Sequence, residues 1–278
     1  MRYVRQLETR KRLVNTEQLE YIIELVLLSG WIKNADQLSL IISSKVGAGK
    51  TELVKQYSEV RGVKFLSEAT AFGIKSQFLR DIKSGKIRHI IIGDLLVPLS
   101  KQKKTREDFI AFFNTIVEDG VESIHTYAQH WEGKGAVKCG LITTIAEPDF
   151  LSRSRRWVAM GFLSRAIPLT YGYSPATKVR IYQNIATAQS LTELPKKHIW
   201  LPLRPVTIKQ DPQLNLKLIE LSMDFEKMEK VYGFRRQEQL QTLLMANALK
   251  NKRLQVTRKD YNKILTLSEY INLRFKEI

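Results

Sequence analysis

One cysteine, Cys139, stands among 278 residues, so no disulfide can form within the chain. The fold must rest on packing and hydrogen bonds, and this cysteine usage fits a reducing compartment. Long hydrophobic runs are also missing. A stretch such as "IIELVLL" (22–28) is far short of the roughly 20 apolar residues that span a bilayer. The opening "MRYVRQLETRKRLVNTEQLE" lacks the apolar centre of a signal peptide. The expectation is a cytoplasmic protein, or a nuclear one in a eukaryote, with no membrane partner. Histidine is scarce: His89, His125, His130 and His198 are the only four, with no cysteine pair or carboxylate pattern beside them. That excludes a zinc site of ordinary spacing, and no nuclease or protease constellation is present. Acid is short as well. Against 45 Lys and Arg there are 28 Asp and Glu, a net charge of +17, which points to a polyanion such as nucleic acid as partner. Apolar residues make up 44%, enough for a proper core, and nothing suggests global disorder.

What is present begins with "SSKVGAGKTELV" (43–54). It ends in Gly-Lys-Thr as a phosphate-binding loop does, but Ser44 stands where that loop has its first glycine. The apolar run "LSLIIS" (38–43) reads as a strand before it, and "KTELVKQYSEV" (50–60) as a helix after it. Gly47 and Gly49 let the backbone curl so that its N–H groups face phosphate oxygens, with the helix N-terminus adding a positive dipole end. The expected cofactors are ATP and Mg²⁺. The loop residues Ser44, Lys45, Val46, Gly47, Ala48, Gly49, Lys50, Thr51 and Glu52 would hold the nucleotide, with Lys50 on the β/γ-phosphates and Thr51 on the metal. In "KIRHIIIGDLLVPLS" (86–100), Ile90, Ile91 and Ile92 make a second buried strand that ends at Asp94, the second metal-holding residue. Leu95 follows where many ATPases have a water-polarising glutamate. Glu107, Asp108 and Glu118 are the nearest other carboxylates in sequence.

The remaining elements keep the same rhythm. Segment 62–68 reads as a strand and 72–85 as a helix ended by Gly85. Segment 105–120 reads as an amphipathic helix with Thr105 and Asp108 as a capping box. Segments 136–147 and 165–174 read as further strands. Alternation of this kind predicts an α/β fold: a parallel sheet covered by helices on both faces.

With these parts in order, the chain resembles the AAA+ ATPases, over roughly residues 16 to 270. The stretches that carry the likeness are "SKVGAGKT" (44–51), "IIIGD" (90–94), "GLITTIA" (140–146), "GFLSRAIPLTY" (161–171) and "GFRRQEQLQTLLMANALKNKRLQVTRKDY" (233–261). The motif pattern is most similar to minichromosome-maintenance-type replicative helicases and clamp loaders. The resemblance implies a core over 1–174 with a short N-terminal helical segment, strand order 5-1-4-3-2, and linker helices plus a helical lid over 175–278. It implies an ATPase active as a ring or filament. Thr143 or Thr144 takes the place of sensor 1, and Arg165 that of the arginine finger, with Arg153, Arg155 and Arg156 as rivals. Arg235 takes the place of sensor 2, with Arg236 second. In the lid, Thr257 and Asp260 form a capping box.

Replicative members of that family insert a hairpin between the helix 105–120 and the next core strand. Here "SIHTYAQHWEGKGAVK" (123–138) reads as strand, glycine-rich turn, strand, with Lys134 near its tip and Trp131 close by, suited to a single strand. Basic clusters at 9–12, 101–106, 153–157, 195–198 and 250–253 are spread along the chain. Two function classes follow. One is an ATP-dependent motor or loader on nucleic acid, DNA rather than RNA, working with itself and a replication or transposition protein, as in a phage or mobile element. The other is a remodeller or nucleotide switch acting on a protein partner.

Overall fold

A computed structural model describes residues 13–126, 129–187 and 196–271. The chain enters through α1 (Glu17–Ser29), then β1 (Leu40–Ser44) and the short α2 (Lys50–Lys55). Next come β2 (Val63–Leu66), α3 (Ala71–Lys83), β3 (His89–Ile92), α4 (Leu96–Leu99) and α5 (Lys103–Asn114). A π-helical turn over Thr115–Asp119 leads to β4 (Val121–Thr126) and β5 (Gln129–Val137). The core resumes with β6 (Gly140–Ala146), α6 (Glu147–Ala159) and β7 (Ile167–Thr170), and helices α7 (Pro175–Thr187), α8 (Pro212–Glu229), α9 (Phe234–Lys250) and α10 (Arg258–Ser268) complete it.

Five strands form one parallel sheet in the order β2-β3-β6-β1-β7. Counted along the chain within that sheet alone, the order is 2-3-4-1-5. The strands read as unbroken apolar runs because both faces are covered, and the pleat sorts them. Leu40, Ile42, Ile91 and Ile142 join a cluster with α1, α2, α8, α9 and α10. Ile41, Ile90, Ile92, Leu141 and Ile145 join a second cluster with α3, α5 and α6. The first cluster runs across position 174/175, so the terminal helices share their buried surface with the sheet and α1.

Several local expectations change. The helix after the loop stops at Lys55 and continues as turns to Val60. Helix α5 begins two residues earlier than the sequence pattern, after Gln102, with no side-chain cap, so Thr105 and Asp108 form no capping box. The box at Thr257 and Asp260 is present. Strands β4 and β5 pair as an antiparallel hairpin, but its closing residues, 127–128, lie outside the described residues. Ser123 faces Glu132 while Val121 faces Val137, so residues 133–136 make a bulge, with Gly135 at φ +88°. The backbone of Lys134 therefore lies in that bulge within β5 and not at a tip, because the two glycines serve the bulge instead of the turn. Trp131 is half-buried against the second cluster, with Lys83 of α3 over its ring at 5.5 Å. Nothing is described of the Lys134 side chain, of residues 9–12, or of Pro195.

Candidate nucleotide site

In a parallel sheet every strand points the same way, so loops after the strands gather at one end and loops before them at the other. The Gly47–Thr51 loop follows β1, Asp94 follows β3, and Glu147 follows β6, which lies between those two strands. These three segments therefore meet at the same end.

Gly47 and Gly49 both have φ +78°, the left-handed region that an L side chain enters only with strain. A side chain at Gly47 would meet open space, whereas one at Gly49 would strike Leu13 Cδ2 at 2.7 Å. Two tyrosines brace the loop from β7's exit: Tyr171 and Tyr173 each donate to the Ala48 carbonyl, at 3.0 and 2.9 Å. Lys50 Nζ donates to the carbonyls of Ser44 (3.0 Å) and Lys45 (2.8 Å). Burial lowers the Lys50 pKa, and the charges of Asp94 and Glu147 oppose that shift. Thr51 donates to the Gly93 carbonyl at 3.1 Å, and Thr144 donates to the same oxygen at 2.6 Å. Asp94 accepts the Leu96 N–H at 2.9 Å, which fixes its carboxylate beside that junction. The cleft over the loop has a volume of about 530 Å³, within the range of small-molecule sites. Besides residues 47–52, it is lined by Leu13, Tyr173, Ile181 and Ile185, an apolar wall beside a cationic loop. Val46 stands exposed at the loop's crest.

Thr143 and Thr144 are buried in β6, level with Ile41 and Ile42 of β1, and Thr144 reaches the loop's base through the Gly93 carbonyl that it shares with Thr51. The residue that reaches the loop's level is Glu147, next after Ala146, which pairs with Ser44. Sequence reasoning missed it. Its signal was a carboxylate closing a buried strand, the same signal used for Asp94. Leu95 is fully buried, so the glutamate place holds a core residue. Glu107 is bonded to Arg156 at 3.1 Å, and Asp108 lines a groove among α3, α5 and β4.

Arg165 precedes β7, and Glu118 lies in the π-helical turn whose Ile116 carbonyl accepts from Cys139, just before β6. Both lie at the far end of the sheet, about 15 Å or more from the loop across strands rising ~3.3 Å per residue. Arg235, at the start of α9, joins them. Glu118 pairs with Arg165 Nε at 2.5 Å and with Arg235 Nε, and Arg235 Nη1 donates to Ser164 at 3.2 Å. They line one pocket with Asp36 and Leu38, ahead of β1. Arg235, in the place of sensor 2, therefore lines that pocket and not the cleft over its own chain's loop. Arg236 is buried to 2% exposure on Glu229 (2.8 Å) and the Ala166 carbonyl, so it is a packing residue. Arg153 pairs with Asp149, while Arg155 is exposed on α6.

Of the histidines, His89 is buried, and burial pushes its pKa down to about 3, so it stays neutral; burial likewise pushes the Cys139 thiol up to about 12. Among the described residues there is no metal-holding group of His, Cys, Asp and Glu, and no helix long and apolar enough to cross a membrane. No protein-family model matches this chain, and no curated protein matches it.

Proposed function

We propose that the chain binds ATP with Mg²⁺ on the Gly47–Thr51 loop and hydrolyses it as an oligomer that acts on nucleic acid. The observation that carries the reading is the loop itself. Two glycines at φ +78°, a half-buried Lys50, and Thr51 tied through Gly93 to the strand end that bears Asp94 are brought together beneath an apolar cleft. Lys50 would neutralise the phosphates, Leu13, Ile181 and Ile185 would flank the base, and Thr51 and Asp94 would hold the metal. A bound Mg²⁺ supplies positive charge to the phosphate oxygens. Glu147 is the carboxylate that orients the attacking water and accepts its proton, the part Leu95 cannot play.

The strand order, read along the sheet from β7 as 5-1-4-3-2, supports the AAA+ resemblance. So does the position of Arg165 and Arg235 at the far end, where they can serve only the nucleotide of an adjoining copy. A guanidinium supplied in trans is worth roughly 10³–10⁵ in turnover in related phosphoryl-transfer enzymes. The +17 charge supports nucleic acid as the target. The second reading, a switch acting on a protein, draws on the exposed Val179, Tyr182 and Ile185 of α7. ATPase activity that rises with DNA favours the first, and activity indifferent to DNA but raised by a protein fraction favours the second. Binding of ATP·Mg²⁺ by titration calorimetry tests the foundation: Lys50→Ala should abolish it while the protein stays folded, and unchanged affinity in folded Lys50→Ala would refute it.

A further inference from the structure

Between α7 and α8 the chain crosses the surface as an extended strap, residues 196–210, with neither helix nor strand. It is nevertheless pinned along its length. Lys197 N donates to the Gln56 carbonyl at 2.8 Å, and Arg61 donates to the carbonyls of Leu201 and Pro202. Val206 exchanges backbone bonds with Trp31 and Lys33, and Lys209 does so with Leu254 and Val256. The last pair brings the strap beside the turn between α9 and α10. Neither segment, 196–210 or 250–259, contains a single Asp or Glu.

Nine Lys and Arg occupy these two segments. Four are satisfied at home: Lys196 by Glu59, Lys197 by Glu20, Lys250 by Glu24 and Arg253 by Asp260. The other five, Arg204, Lys209, Lys252, Arg258 and Lys259, are exposed and have no acidic partner among the described residues. Trp200 on the strap is 48% exposed, with the Lys252 ammonium over its ring at 5.6 Å, and Leu203 is 88% exposed. An aromatic held open to water on an anchored backbone, with a cation over its ring and further uncompensated cations on the same two segments, offers both a stacking plane and positive charge. A duplex presents phosphates but shields its base faces. A single strand presents both, and indole stacking with lysine charge is the chemistry that takes it.

We propose that this face, with Trp200 as stacking platform and Lys209, Lys252 and Arg204 as phosphate contacts, binds single-stranded nucleic acid. It lies apart from the β4–β5 hairpin, whose Trp131 is packed against α3. The inference rests on the nucleic-acid part of the function proposed above.

The test is fluorescence anisotropy of a labelled oligothymidylate with the full chain and ATP·Mg²⁺, across a salt series. Wild type should bind with affinity that falls steeply with salt. Trp200→Ala should weaken binding about five- to hundredfold, and Trp200→Phe should restore most of it. Lys209→Glu combined with Lys252→Glu alters two exposed side chains, one of which also gives up its contact with the Trp200 ring. It should weaken binding and lower the slope of log K against log salt by about 1.4, since each single-strand phosphate contact contributes about 0.7. ATP affinity should not move in any of these variants. Wild-type affinity in both Trp200→Ala and the double glutamate variant would overturn the site while leaving a nucleic-acid function standing. Equal loss on duplex and single strand in Trp200→Ala would overturn the stacking role. No binding by wild type at about 50 mM salt would overturn the nucleic-acid reading as well.

Discussion

The two loop glycines share a backbone angle and differ in surroundings, so a pair of alanine substitutions separates strain from crowding. Both Gly47 and Gly49 have φ +78°. An L residue forced into the left-handed region costs about 1–2 kcal/mol. Gly47→Ala adds a methyl to open space, so strain is its whole cost. Gly49→Ala adds the same strain and places a methyl 2.7 Å from Leu13 Cδ2. Ordinary carbon contacts begin near 3.5 Å, so the Leu13 side chain must retreat by roughly 1 Å. Leu13 is almost wholly buried, and pushing it outward forfeits part of the ~1.5–3 kcal/mol that burying a leucine contributes. Gly49→Ala should therefore cost about 2–4 kcal/mol against about 1–2 for Gly47→Ala. Urea unfolding gives both values, and a cycle with Leu13→Ala isolates the contact. In the Leu13→Ala background the two glycine substitutions should cost the same. Calorimetry should show Gly49→Ala losing ATP more completely, since Leu13 also lines the cleft. Equal penalties in the wild-type background, or a Gly49→Ala penalty untouched by Leu13→Ala, would refute the reasoning.

Glu147→Gln should bind ATP·Mg²⁺ as wild type does yet turn over on the order of 10²-fold or more slowly, the loss usual for a positioned base; phosphate release measures it, and unaltered turnover removes Glu147 from the chemistry. Arg165→Ala should bind ATP and hydrolyse it poorly, and Arg165→Lys should do little better, since Lys lacks the planar fork. Mixing Arg165→Ala with Lys50→Ala should recover part of the activity, because one mixed interface has both an intact loop and an intact arginine; a mixture that assembles and stays inactive rules Arg165 out. Asp260 accepts from Asn247, Arg253 and Thr257, with five contacts between 2.6 and 2.9 Å. Burial alone would raise its pKa, but bonds from Arg253, Thr257 and Asn247 outweigh that and lower it below the usual carboxylate value. A depressed folded pKa means the stabilisation is present above the unfolded pKa near 4 and is lost as pH falls below it. Wild type should then lose more stability than Asp260→Asn between pH 5 and pH 3, read as the difference in urea midpoints.

The sequence by itself determined the loop, the strands that flank it and the layered class of the fold. Those features are local. Glycines at fixed spacing and β-branched runs of four to six residues act over one or two turns of chain, so the pattern carries them directly, whereas of two Thr-x-x-Asp patterns only Thr257 and Asp260 form a cap. Asp94 was legible for the same reason, as an acid closing a buried run. Tertiary structure decided what depends on distant pairings. Glu118 meets Arg235 from 117 positions away, and that contact sets Arg235 at the far end of the sheet. Glu147 became a candidate only when β6 was seen to run beside β1 as far as Ser44. The bulge that takes Lys134 off the hairpin tip follows from register between β4 and β5, which the two glycines alone leave open. Trp200 and Lys252 come together because an irregular strap is tied down by backbone bonds to residues far from it in sequence. Hydrophobic periodicity has no term for such a segment, and only the folded chain could reveal that Lys252 and the indole share one face.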